Sequence, residues 1–301
     1  MEELRQKIKA LKQARNAVIL AHYYVDGSVQ ELADYVGDSY YLSKKATESA
    51  CKTILFCGVE FMAESAKILN PEKTVIMADN DADCPMAHMV TPEDVAKVRA
   101  ENDDLAVVCY INSTARTKAC SDVCVTSSNA ERIVKALPQT RIYFIPDGNL
   151  GRNLAAAIPQ KQFIFHPGYC CVHQDITPEH VQRAKERHPQ AQVLVHPECR
   201  PEVVALADYV GSTSGILEYA RTSPAQEFIV CTETGIFYNL EKENPEKSFY
   251  AVKQHQECDD MKKITLEKVA QALEQGVPLT LESELIEKAQ TALKRMHEIA
   301  R

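Results

Sequence analysis

Short apolar runs alternate with amphipathic stretches along most of the chain. Residues 17–21 and 54–58 are nearly continuous apolar runs, which are typical of buried strands, and residues 74–77 form a shorter one. Residues 61–69 lie between two such runs and have helical spacing, as do residues 2–16. The order of elements is βαβαβαβ, which predicts a four-stranded parallel sheet flanked by helices.

The same order of elements recurs twice along the chain. An aspartate precedes the second strand of each copy, and the spacing between successive copies is 88 and then 86 residues, measured at Asp34, Asp122 and Asp208. Self-similarity at a long period indicates homologous structural units. We therefore predict three α/β domains and a C-terminal helix that packs back on the first domain. The predicted boundaries are 1–104, 105–190, 191–275 and 276–301.

Polar residues occupy fixed offsets from this aspartate in all three copies. They stand twelve and ten positions before it and five positions after it: His22, Tyr24 and Ser39, then Tyr110, Asn112 and Ser127, then His196, Glu198 and Thr213. These positions fall at the carboxyl ends of predicted strands or at the following helix starts, where parallel α/β proteins bind ligands. Three units around a pseudo-threefold axis would direct them at one central cavity.

The chemistry of these positions indicates anion binding and proton transfer. A single Ser or Thr at a helix start is most simply an N-cap, but three in register beside one cavity favour a carboxylate or phosphate site. His196 and Glu198 lie two residues apart on an extended segment and can therefore face the same way. The candidate general acids and bases are His22, Tyr24, Tyr110, His196 and Glu198.

Three cysteines share a second register. Cys84, Cys170 and Cys258 each stand seven residues before the threonine that begins a predicted helix. Incidental buried cysteines are one explanation, since cysteine often packs as a small hydrophobe. Structural zinc is normally closed by four ligands, often in local Cys-x₂-Cys pairs, and no such pair occurs here. Three converging thiolates instead favour a [4Fe–4S] cluster with one open iron, suited to Lewis-acid chemistry.

The second cysteine of the set has a neighbour that leaves its assignment open. Only Cys170 keeps the seven-residue spacing, which favours it over Cys171, but the second unit is shorter between its last strand and this position. His173 lies three residues further on, where supporting a ligand and taking part in catalysis are equally reasonable roles. The roles of Cys171 and Cys199 are not determined by the sequence.

Composition narrows the function classes. The 301 residues carry a formal net charge of −8, which argues against nucleic acid or an anionic membrane as partner. No run approaches 18 apolar residues, and the first residues lack a signal-peptide core, so we expect a cytoplasmic protein. Eleven cysteines in such a chain favour metal or redox chemistry over disulfides.

Longer motifs surround these positions. They are Ala21-His22-Tyr23-Tyr24, Gly37-Asp38-Ser39, Cys84-Pro85-Met86-Ala87, Tyr110-Ile111-Asn112-Ser113, Gly168-Tyr169-Cys170-Cys171, His196-Pro197-Glu198-Cys199 and Cys258-Asp259-Asp260-Met261. In this order, and over essentially the whole chain, they resemble the quinolinate synthase family of NAD biosynthesis.

This resemblance implies a fold, a reaction and a set of site residues. The fold would be three pseudo-threefold-related αβα three-layer domains around a central active site. The enzyme would be a transferase that condenses iminoaspartate (iminosuccinate) with dihydroxyacetone phosphate to quinolinate, releasing phosphate and two waters. One [4Fe–4S] cluster would be held by Cys84, Cys170 and Cys258, and Tyr24, His196 and Glu198 would transfer protons. By matching position, the substrate site would comprise His22, Ser39, Tyr110, Ile111, Asn112, Ser127, His196, Pro197, Glu198 and Thr213.

Two other functions remain open. One is a [4Fe–4S] hydro-lyase acting on a different di- or tricarboxylate, and the other is a non-catalytic cluster sensor. The sensor would need a partner-binding or nucleic-acid surface, which the acidic charge disfavours. Under the leading interpretation the partners are small molecules, with a transient contact to the enzyme that produces iminoaspartate.

Overall fold

Twelve short strands form three separate sheets in the computed structural model, which describes residues 2–300. Each sheet has four parallel strands in the same spatial order, with the first strand between the second and the third. The central strands are buried along their length, as expected for parallel sheets covered by helices on both faces. The predicted α/β class with three four-stranded parallel sheets is confirmed.

From their first strands onward, the first two units share one order of strands and helices, except that a 3₁₀ turn in the first stands where the second has a short α-helix. The first contains α1 (Glu2–Ala14), β1 (Ala17–His22), α2 (Gly27–Gln30), β2 (Tyr35–Gly37), α3 (Ser39–Glu48), β3 (Thr53–Cys57), α4 (Glu60–Leu69), β4 (Thr74–Met77), a 3₁₀ turn (Pro85–His88) and α5 (Pro92–Glu101). The second contains β5 (Leu105–Tyr110), α6 (Ala115–Ala119), β6 (Val123–Val125), α7 (Ala130–Ala136), β7 (Arg141–Ile145), α8 (Gly148–Ala157), β8 (Gln162–Phe165), α9 (Cys171–Gln174) and α10 (Pro178–Arg187).

The third unit repeats the pattern and is followed by one long helix. It contains β9 (Gln192–Val195), α11 (Pro201–Val204), β10 (Tyr209–Val210), α12 (Thr213–Thr222), β11 (Glu227–Cys231), a 3₁₀ turn (Thr234–Ile236), α13 (Phe237–Glu243), β12 (Ser248–Ala251), α14 (Asp259–Lys262), α15 (Leu266–Gln275) and α16 (Ser283–Ile299).

The repeated aspartate joins the first two strands of each sheet. Its backbone N–H donates to a carbonyl of the first strand, and its carboxylate accepts from the N–H of that same strand residue. The pairs are Asp34 with Ile19, Asp122 with Val107 and Asp208 with Val193, with N–H to carboxylate distances of 2.8, 2.7 and 2.7 Å. These two hydrogen bonds to one strand residue explain why the aspartate keeps its register in all three copies.

The helix after each of the second and third cysteines packs on the following unit. α10 follows Cys170 but contacts β11 and α11, and α15 follows Cys258 but packs against α1 of the first unit. The chain then pairs with the edge of the first sheet, where Leu279 N–H donates to the Val75 carbonyl at 2.8 Å. The predicted boundaries assign α10 and α15 to the preceding units, whereas their packing links the units into a closed ring.

The C-terminal helix differs from expectation in its main partner. The buried face of α16 consists of Ala289, Ala292, Leu293 and Met296. It packs most extensively against α6 and β6 of the second unit, and also against α4 of the first. The expectation that this helix packs back on the first domain is therefore incomplete, because its small apolar face fills the seam between two units.

The described helices also bear on membrane association. Between residues 2 and 300, no helix is both long and apolar enough to cross a membrane.

The aspartate pairing makes a testable prediction about stability. Replacing Asp208 with Ala should lower the free energy of unfolding by about 1 kcal/mol, because the N–H of the buried Val193 loses its acceptor. Urea denaturation measures this loss. Asp208→Asn is the matched control, since its amide oxygen can still accept this bond, and it should retain most of the stability. Equal losses in both variants would contradict the assignment.

Candidate active site

A cavity lies where the carboxyl ends of strands from all three sheets meet. The sequence-predicted residues that line it are His22, Tyr24, Ser39, Tyr110, Ile111, Asn112, Ser127, His196, Glu198 and Thr213. Pro197 is buried but does not line it, and its carbonyl accepts a bond from the Asn153 side chain at 2.8 Å. The fold thus brings together ten of the eleven residues predicted for substrate binding or proton transfer.

The two histidines at equivalent positions are held in the same way. The Nδ1 atom of His22 accepts from the Tyr24 backbone N–H at 3.2 Å, and that of His196 accepts from the Glu198 N–H at 3.3 Å. Burial lowers the pKa of both imidazoles to about 3. Each ring is therefore neutral near pH 7 and carries its proton on Nε2. In His196 this atom is 3.2 Å from the Ser127 hydroxyl oxygen.

Glu198 is a buried carboxylate with partners on both oxygens. The Tyr110 hydroxyl donates to Oε1, and Nδ1 of His173 lies 2.8 Å from Oε2. Burial acts to raise the pKa of Glu198, but the neighbouring His173 and His196 and the bond from Tyr110 outweigh it and hold the pKa below its ordinary value. Glu198 is therefore ionised at neutral pH.

The tyrosines on the cavity wall keep their protons. Burial and the charge of Glu198 raise the pKa of both Tyr24 and Tyr110 well above the ordinary value. The Tyr24 hydroxyl lies 2.9 Å from Thr213 Oγ1 and 2.8 Å from Thr232 Oγ1. Neutral phenols beside an ionised carboxylate provide both proton donors and an acceptor in one buried site.

None of the three hydroxyl residues predicted at helix starts is an N-cap. The prediction of a helix start at Ser127 is wrong, because α7 begins at Ala130 and its N-cap is Asn129. Asp38 caps α3 by accepting from the Tyr41 N–H, and Ser212 caps α12 by accepting from the Gly215 N–H. Ser39 and Thr213 are the first residues of these helices and line the cavity. Their place on the wall therefore does not come from a capping role, which favours ligand binding over the simpler explanation.

The three cysteines in register also line this cavity. Cys84, Cys170 and Cys258 are each contributed by a different unit. Cys171 is exposed and Cys199 is buried, and neither is part of the wall. The geometry therefore agrees with the register in placing Cys170 at the site.

Burial acts on all three thiols. It raises the pKa of Cys258 to about 11 and that of Cys84 further, and a hydrogen bond with Cys171 together with burial raises that of Cys170. Such thiolates form only where a cation offsets their charge. Three sulfur donors from three units on one wall fit an iron–sulfur cluster with three cysteine ligands better than a four-ligand structural zinc site.

A second donor group includes one of these cysteines. Ligand atoms of Cys170, His173 and Glu198 lie within 4.8 Å of one another. They already contact each other, since His173 Nδ1 is 3.2 Å from the Cys170 sulfur and 2.8 Å from Glu198. We interpret this group as a hydrogen-bonded support for Cys170, which is one of the two roles that the sequence left open for His173.

Sequence reasoning missed the second residue after the third strand of each unit. Glu233 lines the cavity, accepts from the Cys258 backbone N–H at 3.2 Å and pairs with Lys262 at 2.8 Å. Asp147, the equivalent residue of the second unit, caps α8. The register signal was present, but the first unit has Val59 there, so the position is not polar in all three copies.

Similarity to known proteins identifies the family of this chain. The family model described as quinolinate synthetase A protein matches residues 6–298. The chain belongs to this family. A quinolinate synthase of Caldicellulosiruptor saccharolyticus is 49% identical over 301 residues, covering 100% of this chain and 99% of the relative.

Two further relatives carry the same name. The quinolinate synthase of Clostridioides difficile is 48% identical over 300 residues, or 99% of each chain. That of Aquifex aeolicus is 44% identical and covers 100% of this chain and 95% of the relative. The family resemblance predicted from the motifs is confirmed.

The buried histidines predict a pH dependence of stability. His196 has a lowered pKa when folded, so below its ordinary value of 6.5 the unfolded chain binds a proton that the folded chain excludes. Its contribution is complete above pH 6.5 and is lost as the pH falls towards about 3. Between pH 6 and pH 4.5, the free energy of unfolding should fall by about 1.4 kcal/mol per pH unit more in the wild type than in His196→Asn.

Urea denaturation at several pH values measures this difference in slope. Taking the difference cancels the other groups that titrate in this range. His255→Asn is the control, because its imidazole is exposed, and it should keep the wild-type slope. Parallel slopes for the wild type and His196→Asn would show that the buried ring accepts a proton in the folded state.

Proposed function

We propose that this protein is a quinolinate synthase that condenses iminoaspartate with dihydroxyacetone phosphate, releasing phosphate and two waters. The observation that carries the proposal is the meeting of three cysteines and ten predicted site residues on one cavity, in a chain of this family. The function would place the protein in NAD biosynthesis. Cytoplasmic location and a transient contact with the enzyme that supplies iminoaspartate remain predictions.

The cavity suits the charges of both substrates. Iminoaspartate carries two carboxylates and dihydroxyacetone phosphate carries a phosphate, and all three need hydrogen-bond donors. Ser39 and Thr213 supply hydroxyls at the N-termini of α3 and α12, where free backbone N–H groups also favour anions. Neutral His22 and His196 add Nε2 donors without an unpaired buried charge. Together these groups would bind and orient the two substrates.

One acceptor on the wall has no partner in the described part of the chain. The side-chain oxygen of Asn112 is buried and makes no hydrogen bond there. A buried acceptor left unpaired is unfavourable by about 1–3 kcal/mol. A substrate N–H or O–H would satisfy it, which supports Asn112 as a binding residue.

The groups that would transfer protons have defined protonation states near pH 7. Glu198 is ionised and would accept a proton from a substrate carbon or nitrogen, while the Tyr24 phenol would donate one. His196, stacked on His173 and 3.2 Å from Ser127, would donate from Nε2. His196 and Glu198 are almost fully buried, which strengthens their electrostatic interactions.

Cys84, Cys170 and Cys258 would hold a [4Fe–4S] cluster. When bound, it would supply one iron without a protein ligand, which polarises an oxygen of the substrate as a Lewis acid. The chain's own contribution is to place three thiols from different units on the wall of the cavity that Ser39 and Thr213 also line.

Anaerobic turnover with both substrates tests the proposal. Quinolinate should form from iminoaspartate generated in situ and dihydroxyacetone phosphate, with one phosphate released per product. Omission of dihydroxyacetone phosphate should abolish product formation. A protein that dehydrates a di- or tricarboxylate without any triose phosphate would instead be the alternative hydro-lyase.

Cysteine variants test the ligand set. After anaerobic purification the wild type should contain about four iron atoms per chain. Cys258→Ala should lose most of the iron and at least about a hundredfold in kcat, because no other described thiol of the third unit lines the cavity.

The adjacent cysteines of the second unit provide a matched pair for this test. Cys170→Ala should behave like Cys258→Ala, whereas Cys171→Ala should retain iron and activity, since Cys171 is exposed. Iron loss from Cys171→Ala but not from Cys170→Ala would refute the register assignment.

A further inference from the structure

A chain of buried hydrogen bonds links Tyr24 to Glu198 through a residue outside the cavity wall. Thr232 follows the end of β11 and is fully buried. Its hydroxyl oxygen lies 2.8 Å from the Tyr24 hydroxyl and 2.9 Å from Nε2 of His173. Nδ1 of His173 is in turn 2.8 Å from Glu198 Oε2. One hydroxyl therefore connects two parts of the site that come from different units.

The chemistry of these atoms allows every contact to be a hydrogen bond. An ionised Glu198 can only accept, so Nδ1 of His173 donates to it. The Thr232 hydroxyl can both donate and accept, so it can bond with Nε2 of His173 and with the Tyr24 hydroxyl at the same time. Thr213 provides the second contact of the Tyr24 hydroxyl.

The fold itself does not require a hydroxyl at this position. The residues just after the third strand of the first and second units are Gly58 and Pro146, at the same register as Thr232. Both units form the same four-stranded sheet although neither residue has a side chain that can donate a hydrogen bond. A hydroxyl occurs only where Tyr24 and His173 come within its reach.

We propose that Thr232 is a positioning residue that holds the Tyr24 hydroxyl and the His173 imidazole in their reactive orientation. Without it, Tyr24 would keep only Thr213, and Nε2 of His173 would lose its partner among the described residues. The catalytic part of this inference rests on the proposed function, because Tyr24 and Glu198 are its proton-transfer groups.

Two substitutions separate the hydroxyl from the shape of the side chain. Thr232→Val keeps the branched shape and removes the hydroxyl, whereas Thr232→Ser keeps the hydroxyl and removes a methyl group. We expect Thr232→Val to lower kcat at least about tenfold with the KM of both substrates within about twofold, since it disturbs orientation more than binding. Thr232→Ser should stay within about threefold of the wild-type kcat.

A second buried threonine provides the matched control. Thr117 is also fully buried, and its hydroxyl contacts Val90 and Thr114, which are not part of the hydrogen-bond chain from Tyr24 to Glu198. Thr117→Val should lower thermal stability without changing kcat. Wild-type kcat in Thr232→Val, or an equal loss in Thr232→Ser, would overturn the proposal.

Crystal structures of the two Thr232 variants give a readout that does not depend on turnover. In Thr232→Val we expect the Tyr24 hydroxyl or the His173 ring to shift or to recruit a water molecule, and in Thr232→Ser both should superpose on the wild type. Unmoved groups in Thr232→Val would refute the positioning role. A wild type that forms no quinolinate would instead refute the proposed function and leave this structural test intact.

Discussion

The site depends on three parallel sheets that direct their carboxyl ends at one cavity. Parallel strands can place polar residues at the carboxyl end of a sheet, but the carboxyl end of one sheet alone forms only a shallow crevice. Here α10 and α15 cross to the following unit, and the chain after α15 pairs with the edge strand of the first sheet. This packing brings the three crevices together at one shared cavity. Each unit can therefore contribute a single cysteine, and no unit can form the site alone.

Burial then determines the electrostatic state of that space. It lowers the pKa of His22 and His196 to about 3, so both rings donate hydrogen bonds without carrying charge. Glu198 stays ionised because it has partners on both oxygens, as a buried carboxylate must. The thiols, by contrast, have raised pKa values and need a cation to ionise. The cavity thus combines neutral donors, buried carboxyl groups and three thiols suited to a metal centre.

The register of the repeats predicts much of this arrangement, and the residues that it misses have identifiable reasons. It found the nine polar positions because each is polar in all three units, and the reciprocal bonds of Asp34, Asp122 and Asp208 show why the register is strict. It missed Glu233 and Thr232, because the first unit has Val59 and Gly58 at the equivalent positions. A search for positions that are polar in all three repeats cannot find a functional residue that only one unit contributes to the shared site.

By itself, the sequence determined the local elements, their threefold repetition and the residue types at the strand ends. These follow from apolar periodicity and turn chemistry, which act over a few residues. Only the tertiary structure decided which hydroxyls are caps, where α16 packs and which side chains form the chain from Tyr24 through Thr232 to Glu198. Those contacts join residues from different units, and their geometry depends on how three sheets close around a cavity. Local patterns carry no information about that closure.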